Sequence, residues 1–189
     1  MLNWKELYSE CVNCNKCDLS KNRTNMVFGE GNLKSPIMFI GEAPGADEDR
    51  TGRPFVGRAG KLLTKALTAL ELTREKDYYV CNICKCRPAN NRNPFEEEAK
   101  ACIPYLRNQF ALVKPKIIVC LGAVSLRYIM GNNYRITRDR GTWIERKGCY
   151  MTATFHPAAI LRDENKKRVF WEDLKSIKNK YDELKKEEE

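Results

Sequence analysis

The sequence is poor in histidine and has no long apolar segment. His156 is the one histidine among 189 residues. No apolar run approaches about 18 residues, so we expect no membrane-spanning helix. No charged-then-apolar leader opens the chain, so we expect no secretory signal and a cytoplasmic location. The length predicts one domain over residues 1–189 with a single substantial core, and we expect a monomer.

Cysteine, by contrast, is abundant, with nine residues. A cytoplasmic protein keeps few disulfides, so clustered cysteines indicate a metal site. Because the chain has one imidazole, a four-ligand site near the amino terminus must be nearly all sulfur. The candidate ligands form two groups: Cys11, Cys14 and Cys17, with CxxCxxC spacing, and then Cys84, Cys86 and Cys102. All-cysteine sites suit zinc or an iron–sulfur cluster, and the spacing does not separate the two.

The charge of the chain is strongly positive, with a formal net charge of +9 at pH 7. Residues 166–189 hold 8 basic and 7 acidic residues, so the excess lies in the body of the chain. A basic body indicates a polyanionic partner, of which nucleic acid is the commonest. Many basic proteins bind nothing in particular, so this signal decides nothing alone.

The apolar pattern predicts alternating strands and helices. Strands are predicted at 36–40, 78–83 and 116–121, with one or two more in 143–155; helices are predicted at 3–11, 56–70, 94–112, 122–130 and 165–186. This alternation predicts a mostly parallel sheet covered on both faces. Cysteines in the strand-like runs are predicted to be buried core thiols: Cys81, Cys120 and Cys149. The acidic end, Glu187-Glu188-Glu189, is predicted to be frayed.

Residues 37–60 combine a buried strand, a glycine-rich turn and the start of a helix, an arrangement typical of ligand sites. The turn is Gly41-Glu42-Ala43-Pro44-Gly45. A phosphate-binding Walker loop is excluded, because Lys61 is followed by leucine and Phe55 stands where the first glycine is required. An ordinary strand–turn–helix corner is the alternative. Three carboxylates at 47–49, near a phenylalanine expected to be exposed, favour a site.

Polar residues stand at or just beyond the carboxyl ends of three of the predicted strands. In such sheets, ligands bind beyond the carboxyl ends of the strands. Glu42, Asn82 and His156 all stand there in the sequence. A lone histidine is more often structural than catalytic, but His156 directly follows a strand and precedes Pro157. We therefore expect the three residues to converge on one site.

These motifs together resemble a known family, the family 4 uracil-DNA glycosylases, the iron–sulfur branch of their superfamily. The resemblance covers nearly the whole chain. Its motifs are Asn13-Cys14-x-x-Cys17 with Val27-Phe28-Gly29-Glu30-Gly31, the GEAPG loop with PFVGxAG, Asn82 before Lys85-Cys86-Arg87-Pro88, then Cys102 and His156-Pro157-Ala158. The fold implied is α/β: a three-layer α/β/α sandwich around a short, mainly parallel four-stranded sheet.

The resemblance also implies a structural 4Fe–4S cluster. The family's ligands match Cys14, Cys17, Cys86 and Cys102. Cys11 and Cys84 are then extra thiols, although Cys11 fits the local spacing equally well. The cluster would pin the amino terminus and the basic loop after Cys86 to the body of the protein.

The activity implied is DNA repair by base excision: uracil is flipped out of single- or double-stranded DNA and its N-glycosidic bond is hydrolysed, leaving an abasic site. Phe55 would stack on the flipped ring, and the Asn82 amide would read O4 and N3. The Glu42–Pro44 backbone, which includes Ala43, would line the pocket near O2. His156 would stabilise the negative charge on the leaving uracil.

The carboxylate that assists the reaction is left open by the sequence. Family 1 relatives carry aspartate where Ala43 stands here, so Glu42 and Glu48 are the candidates. We favour Glu48 for activating water, as carboxylates do near oxocarbenium-like transition states, and Glu42 for pocket architecture. Two further sets are predicted to contact DNA: an apolar wedge, Ile160 or Leu161, and phosphate contacts, Lys85, Arg87, Arg92 and Arg162. The alternative for the two apolar residues is that they are ordinary core residues. The alternative for the basic residues is that they lie in a solvated loop.

Two other functions compete with this one. A uracil-DNA binder on the same fold could lack catalysis or trap its product covalently. The branch that traps has a GEQPG loop and an inserted histidine, neither of which is present here. A zinc-stapled nucleic-acid-binding module without an active site is the second alternative. It would be colourless, whereas an iron–sulfur protein is brown.

Overall fold

A single mixed sheet forms the centre of the molecule. The structure, a computed structural model, describes residues 2–187. The six strands are β1 (Glu30–Gly31), β2 (Ile37–Gly41), β3 (Tyr78–Asn82), β4 (Ile117–Leu121), β5 (Ile144–Arg146) and β6 (Cys149–Thr154), in the order β1-β3-β2-β4-β6-β5. Neighbours among β3, β2, β4 and β6 are parallel, and the two edge strands are antiparallel.

The four parallel strands confirm the predicted sheet, and the edge strands extend it. β2, β3 and β4 are buried along their whole length, as their continuous apolar runs predict. β1 has only two residues and β5 three, too few to give a periodic signal. In β1, Gly31 has a φ of 131°, and a Cβ there would lie 2.2 Å from the Tyr78 carbonyl oxygen. Only glycine fits this edge.

Helices cover both faces of the sheet. They are α1 (Trp4–Val12), α2 (Leu19–Asn22), α3 (Ala46–Thr51), α4 (Arg58–Thr68), α5 (Glu96–Val113), α6 (Ala123–Ile129), α7 (Ile136–Asp139), α8 (Pro157–Arg162) and α9 (Lys167–Glu187), with 3₁₀ turns at Ala89–Asn91 and Glu164–Lys166. The predicted long helices are confirmed to within a few residues. Glu187 ends α9, and the rest of the predicted frayed end lies outside the described residues. No helix within 2–187 is long and apolar enough to cross a membrane.

Alternation along the strands divides the core into two layers. In β2, Met38 and Ile40 join one cluster, which also holds Leu7 of α1 and Leu106 of α5. The other cluster contains alternate strand residues with side chains from α4 and α9: Ile37, Phe39, Leu63, Leu67, Leu174 and Ile177. Successive strand side chains point to opposite faces, so each face of the sheet receives its own helices. This is the predicted three-layer sandwich.

The three strand cysteines are buried, as predicted: Cys81 and Cys120 are fully inaccessible and Cys149 is 5% exposed. Burial raises the pKa of all three thiols. They are core residues.

The antiparallel edge strand β5 joins β6 through a tight hairpin. Arg146 pairs with Cys149, so Lys147 and Gly148 form the turn. Both have positive φ, 51° and 73°, as two-residue hairpin turns require. The turn is exposed and lies at the start of β6, at the end of the sheet opposite the carboxyl ends of the parallel strands.

Candidate active site and sulfur centre

A cavity of about 720 Å³ opens at the carboxyl ends of the parallel strands. The register aligns Gly41 of β2 with Asn82 of β3, and Leu121 of β4 with Thr154 of β6. Segments that follow these strands therefore meet at one edge of the sheet. The predicted pocket residues all line the cavity: Glu42, Ala43, Pro44, Glu48, Phe55, Asn82 and His156.

Asn82 ends β3 at the base of this cavity. Its side chain is 2% exposed, and its Oδ1 atom has no hydrogen-bond partner within residues 2–187. A Cβ at Gly41 would lie 2.4 Å from that oxygen and 2.6 Å from Cζ of Phe55. The absence of a side chain at Gly41 thus lets the amide and the ring approach each other. A buried amide without a partner is costly unless a ligand supplies one.

Phe55 forms a wall of the cavity. It is 6% exposed, so the expectation of an exposed ring was wrong. The residue has a φ of 53°, and Arg74 donates hydrogen bonds to the carbonyls of Pro54 and Phe55, at 3.0 and 3.2 Å. A Cβ at Gly60 would lie 2.0 Å from the Phe55 carbonyl carbon. A strained backbone held from several sides fixes the ring, whose centroid lies 6.0 Å from the His156 imidazole.

His156 follows β6 and caps α8. Its Nδ1 accepts a hydrogen bond of 3.2 Å from the Ala158 amide. Burial, together with the charge of Arg162, lowers the pKa of His156 to about 4, although Glu48 opposes the shift. The imidazole is therefore neutral near pH 7, with its proton on Nε2 because Nδ1 is an acceptor. The side chain is a neutral hydrogen-bond donor.

The two candidate carboxylates have different surroundings. Glu48 accepts three backbone hydrogen bonds, from Val56 and Gly57 at 2.9 and 2.8 Å and from Gly45 at 3.1 Å. It thereby ties α3 to the loop that carries Phe55. Burial raises the pKa of the Glu42 carboxyl, and no hydrogen bond or charge of the described residues opposes that shift. Of the two, Glu42 is the carboxylate without a structural partner.

The predicted DNA contacts divide into accessible and buried residues. Arg162 and Leu161 are exposed, and Arg87 and Arg92 are partly exposed. Lys85 is 1% exposed, and its ammonium donates a 2.7 Å hydrogen bond to the Asn82 carbonyl, so the predicted phosphate contact is wrong for this residue. Ile160 is 3% exposed and packs in the core, which excludes it as the wedge.

Two basic residues at the cavity were not predicted from the sequence, Arg58 and Lys166. Arg58 begins α4 directly after Gly57, and Lys166 lies in a lysine-rich stretch. Arg58 occupies the variable position of the PFVGxAG motif and Lys166 stands in no motif, so only the fold reveals that both line the cavity.

The predicted sulfur ligands surround a second, small cavity. Five thiols line it: Cys11, Cys14, Cys17, Cys86 and Cys102. No histidine or carboxylate is among the lining residues, so the common metal ligands at this cavity are all thiols. Within residues 2–187, no three histidine, cysteine or acidic side chains are placed to hold a metal ion.

Hydrogen-bond donors point at two of these sulfurs. Arg23 donates to Sγ of Cys86 at 3.2 Å, and the Lys85 amide donates to Sγ of Cys102 at 3.3 Å. A hydrogen bond from Cys84 lowers the pKa of the Cys102 thiol below its usual range. Burial raises the pKa of Cys86 to about 11 and that of Cys11 to about 12. Donors of this kind to sulfur are typical of iron–sulfur sites.

Comparison with known proteins gives consistent matches over the chain. The family model described as the uracil DNA glycosylase superfamily matches residues 28–175. A Type-4 uracil-DNA glycosylase of Thermotoga maritima is 46% identical over 92% of this chain and 93% of its own length. A second, from Sulfurisphaera tokodaii, is 45% identical over 92% and 83%. A Type-5 uracil-DNA glycosylase of Pyrobaculum aerophilum is 30% identical over 69% of this chain and 64% of its own length.

Proposed function

Because the chain belongs to the uracil DNA glycosylase superfamily, we propose that it excises uracil from DNA by hydrolysing the N-glycosidic bond. The named relatives support the same activity. The observation that carries the proposal is the buried Asn82 amide, whose Oδ1 atom has no partner among the described residues and faces the cavity beside Phe55. Uracil supplies the missing donor, its N3–H, whereas cytosine presents an acceptor at that position.

Recognition requires the base to leave the duplex stack, because its edge is otherwise paired. Phe55 stacks on the flipped ring. The Asn82 amide accepts from N3–H and donates to O4. The opposite hydrogen-bond polarity of cytosine leaves buried groups unpaired, so it is rejected.

Cleavage leaves negative charge on uracil and positive charge on the sugar. The Nε2–H of the neutral His156 donates to O2 of uracil as this charge develops, a role whose loss costs about 3–4 kcal/mol of transition-state stabilisation. A neutral donor is available over the whole physiological pH range, since the pKa of His156 is lowered to about 4.

The contacts favour Glu42 as the carboxylate that assists the reaction, rather than Glu48, which the sequence analysis favours. Glu48 is occupied by three backbone amides, which suits it to holding the Phe55 loop in place. Glu42 lines the cavity without a competing partner. We assign Glu42 to the sugar cation and the attacking water, and Glu48 to positioning.

A matched pair of substitutions separates these roles. Glu42→Gln should lower single-turnover excision about 100-fold or more with little change in thermal stability. Glu48→Gln should lower both excision and thermal stability, because an amide cannot accept hydrogen bonds from all three backbone donors as a carboxylate does. The reverse pattern would restore Glu48 as the residue that activates water.

DNA is held by the basic rim of the cavity. Arg92, Arg162, Arg58 and Lys166 line it, and Arg87 lies on the adjoining loop. Phosphate contacts of this kind position the strand without reading its sequence. Leu161, 41% exposed beside Arg162, is the remaining candidate for the wedge that fills the space left by the base.

A 4Fe–4S cluster is the cofactor that we propose for the sulfur cavity, where Cys14, Cys17, Cys86 and Cys102 would hold it. Its role there would be to cross-link the amino-terminal segment, the loop after β3 and α5. The five thiols of the lining and the donors at Cys86 and Cys102 support this assignment. We further propose that the protein acts as a cytoplasmic monomer with one domain over residues 1–189.

The deciding experiment is uracil release from a uracil-containing oligonucleotide by the purified brown protein. Free uracil and an alkali-labile abasic site are the expected products. A stable protein–DNA adduct without free uracil would indicate the covalently trapping alternative. A colourless, zinc-containing protein that binds DNA without releasing uracil would indicate the binding module.

A further inference from the structure

Phe95 presents an aromatic ring to solvent at the amino terminus of α5. Its side chain is 54% exposed, more than any other large hydrophobic residue among those described. It belongs to neither core cluster. Packing of the fold therefore does not account for an aromatic residue here.

The ring is nevertheless held rigidly. The Arg92 guanidinium lies over it, 3.8 Å from its centroid. Arg92 itself makes two hydrogen bonds to the Glu98 carboxylate, at 2.7 and 2.8 Å, and the Phe95 amide donates to the same carboxylate at 2.7 Å. Glu98 is 3% exposed, so this support is buried. An aromatic ring fixed on one side and open on the other is preorganised for stacking.

The ring also adjoins the proposed uracil cavity. Arg92 and Asn93 line that cavity, and Phe95 lies directly beyond the Arg92 side chain. The rim of the same cavity also carries the positive charges of Arg58 and Arg162. A strand that delivers its uracil to the cavity and its phosphates to this rim brings a neighbouring base close to Phe95.

We propose that Phe95 is a stacking platform for an unpaired base that flanks the flipped uracil. The inference rests on the proposed function, because the uracil fixes the strand. Base–aromatic stacking tolerates any sequence but needs an accessible base face. In single-stranded DNA the flanking base is free to stack, whereas in a duplex it remains paired. Phe95 therefore strengthens binding of single-stranded substrate selectively.

The test compares Phe95→Ala with Phe110→Ala on single- and double-stranded uracil oligonucleotides. Phe110 is a matched control: it is 37% exposed, lies on the same helix about 22 Å along its axis and does not line the cavity. Phe95→Ala should raise KM for the single strand about tenfold, with kcat unchanged and the duplex little affected. Phe110→Ala should leave KM unchanged for both substrates.

Two further variants and a spectroscopic signal distinguish stacking from apolar contact or from an altered fold. Phe95→Trp should retain binding, whereas Phe95→Leu should resemble Phe95→Ala. Fluorescence of 2-aminopurine placed beside the uracil should be quenched by the wild type and restored in Phe95→Ala. Equal losses on both substrates, or undiminished quenching in Phe95→Ala, would overturn the inference. A wild-type protein that releases no uracil would refute the proposed function instead, so the two failures are distinguishable.

Discussion

The buried ammonium of Lys85 donates a 2.7 Å hydrogen bond to the backbone carbonyl of Asn82. The amide of the same lysine donates to the sulfur of Cys102. One residue thus contacts both the base of the uracil cavity and the lining of the sulfur cavity. It provides a direct physical link between the two sites.

Replacing Lys85 tests that link. Lys85→Met keeps an unbranched side chain, one atom shorter, but leaves the Asn82 carbonyl without its donor, which should cost about 1–3 kcal/mol of folding stability. Uracil excision should fall, while the salt dependence of DNA binding stays as in the wild type, because a buried lysine contacts no phosphate. Arg87→Met is the control and should reduce the salt slope. An equal reduction in Lys85→Met would show that this lysine reaches the DNA after all.

Asn82→Asp tests the base reader. The change replaces the amide donor with an acceptor, placing a carboxylate oxygen against O4 of uracil. Excision of uracil should fall about 100-fold or more, with residual activity shifted toward cytosine, whose exocyclic amine can donate to it. Single-turnover assays on both substrates measure the shift. A parental rate on uracil would mean that Asn82 does not read the base.

Gly41→Ala tests the closeness of Asn82 and Phe55. The added methyl would lie 2.4 Å from Asn82 Oδ1 and 2.6 Å from Phe55 Cζ, so both side chains must shift. Overpacking of this kind costs about 1–3 kcal/mol of stability. We expect uracil excision to be largely lost while affinity for uracil-free DNA persists, as measured by fluorescence anisotropy. A wild-type rate of uracil excision would show that the cavity tolerates a methyl group at this position.

His156 gives a prediction on pH. Its pKa is lowered from 6.5 to about 4 in the folded protein, so the unfolded chain binds more protons between those values. The contribution of this residue to the free energy of unfolding therefore declines as pH falls from 6.5 to 4. Urea unfolding at pH 7 and pH 5 should show a larger difference for the wild type than for His156→Gln.

The same shift can be observed directly, because His156 is the one histidine in the chain. Its imidazole proton resonance should not titrate between pH 5 and pH 8 in the folded protein, whereas the urea-denatured chain should titrate near 6.5. A folded-state midpoint near 6.5 would contradict the neutral-donor assignment.

The sulfur cavity predicts unequal effects of cysteine substitution. Cys14→Ser, Cys17→Ser, Cys86→Ser and Cys102→Ser should each lose iron, brown colour and solubility, since each would remove a ligand. Cys84→Ser and Cys11→Ser should keep all three, although Cys11 lines the same cavity. Iron content and visible absorbance report the outcome. A stable, brown Cys86→Ser protein with undiminished iron would refute the ligand set.

The sequence predicts the parallel strands well because each is a continuous apolar run between clear breakers. Because the carboxyl ends of parallel strands lie at the same side of a sheet, Glu42, Asn82 and His156 converge there. The edge strand β1 escapes such prediction, because it pairs with β3, which is distant in the chain. The other edge strand, β5, lies within 143–155, where one or two strands are predicted, and it pairs with the adjacent β6.

Side-chain environment was harder to predict than position. Lys85 stands in a basic loop sequence, yet the chain turns inward there and its ammonium finds a backbone carbonyl. The role of Glu48 depends on amides of Val56 and Gly57, whose direction only the folded loop determines. Phe55, a lone aromatic between Pro54 and Val56 near three carboxylates, is expected in solvent, but Arg74 and Gly60 hold its backbone so that the ring turns inward.

The hairpin turn between β5 and β6 has a practical consequence. Lys147 and Gly148 are exposed, and an added Cβ at Gly148 would meet no atom within 4 Å. Because β6 runs from this turn toward the cavity, the turn lies at the opposite edge of the sheet. A short flexible peptide inserted between these two residues would therefore allow the protein to be tethered to a surface with its cavity facing outward, as single-molecule measurements on DNA require.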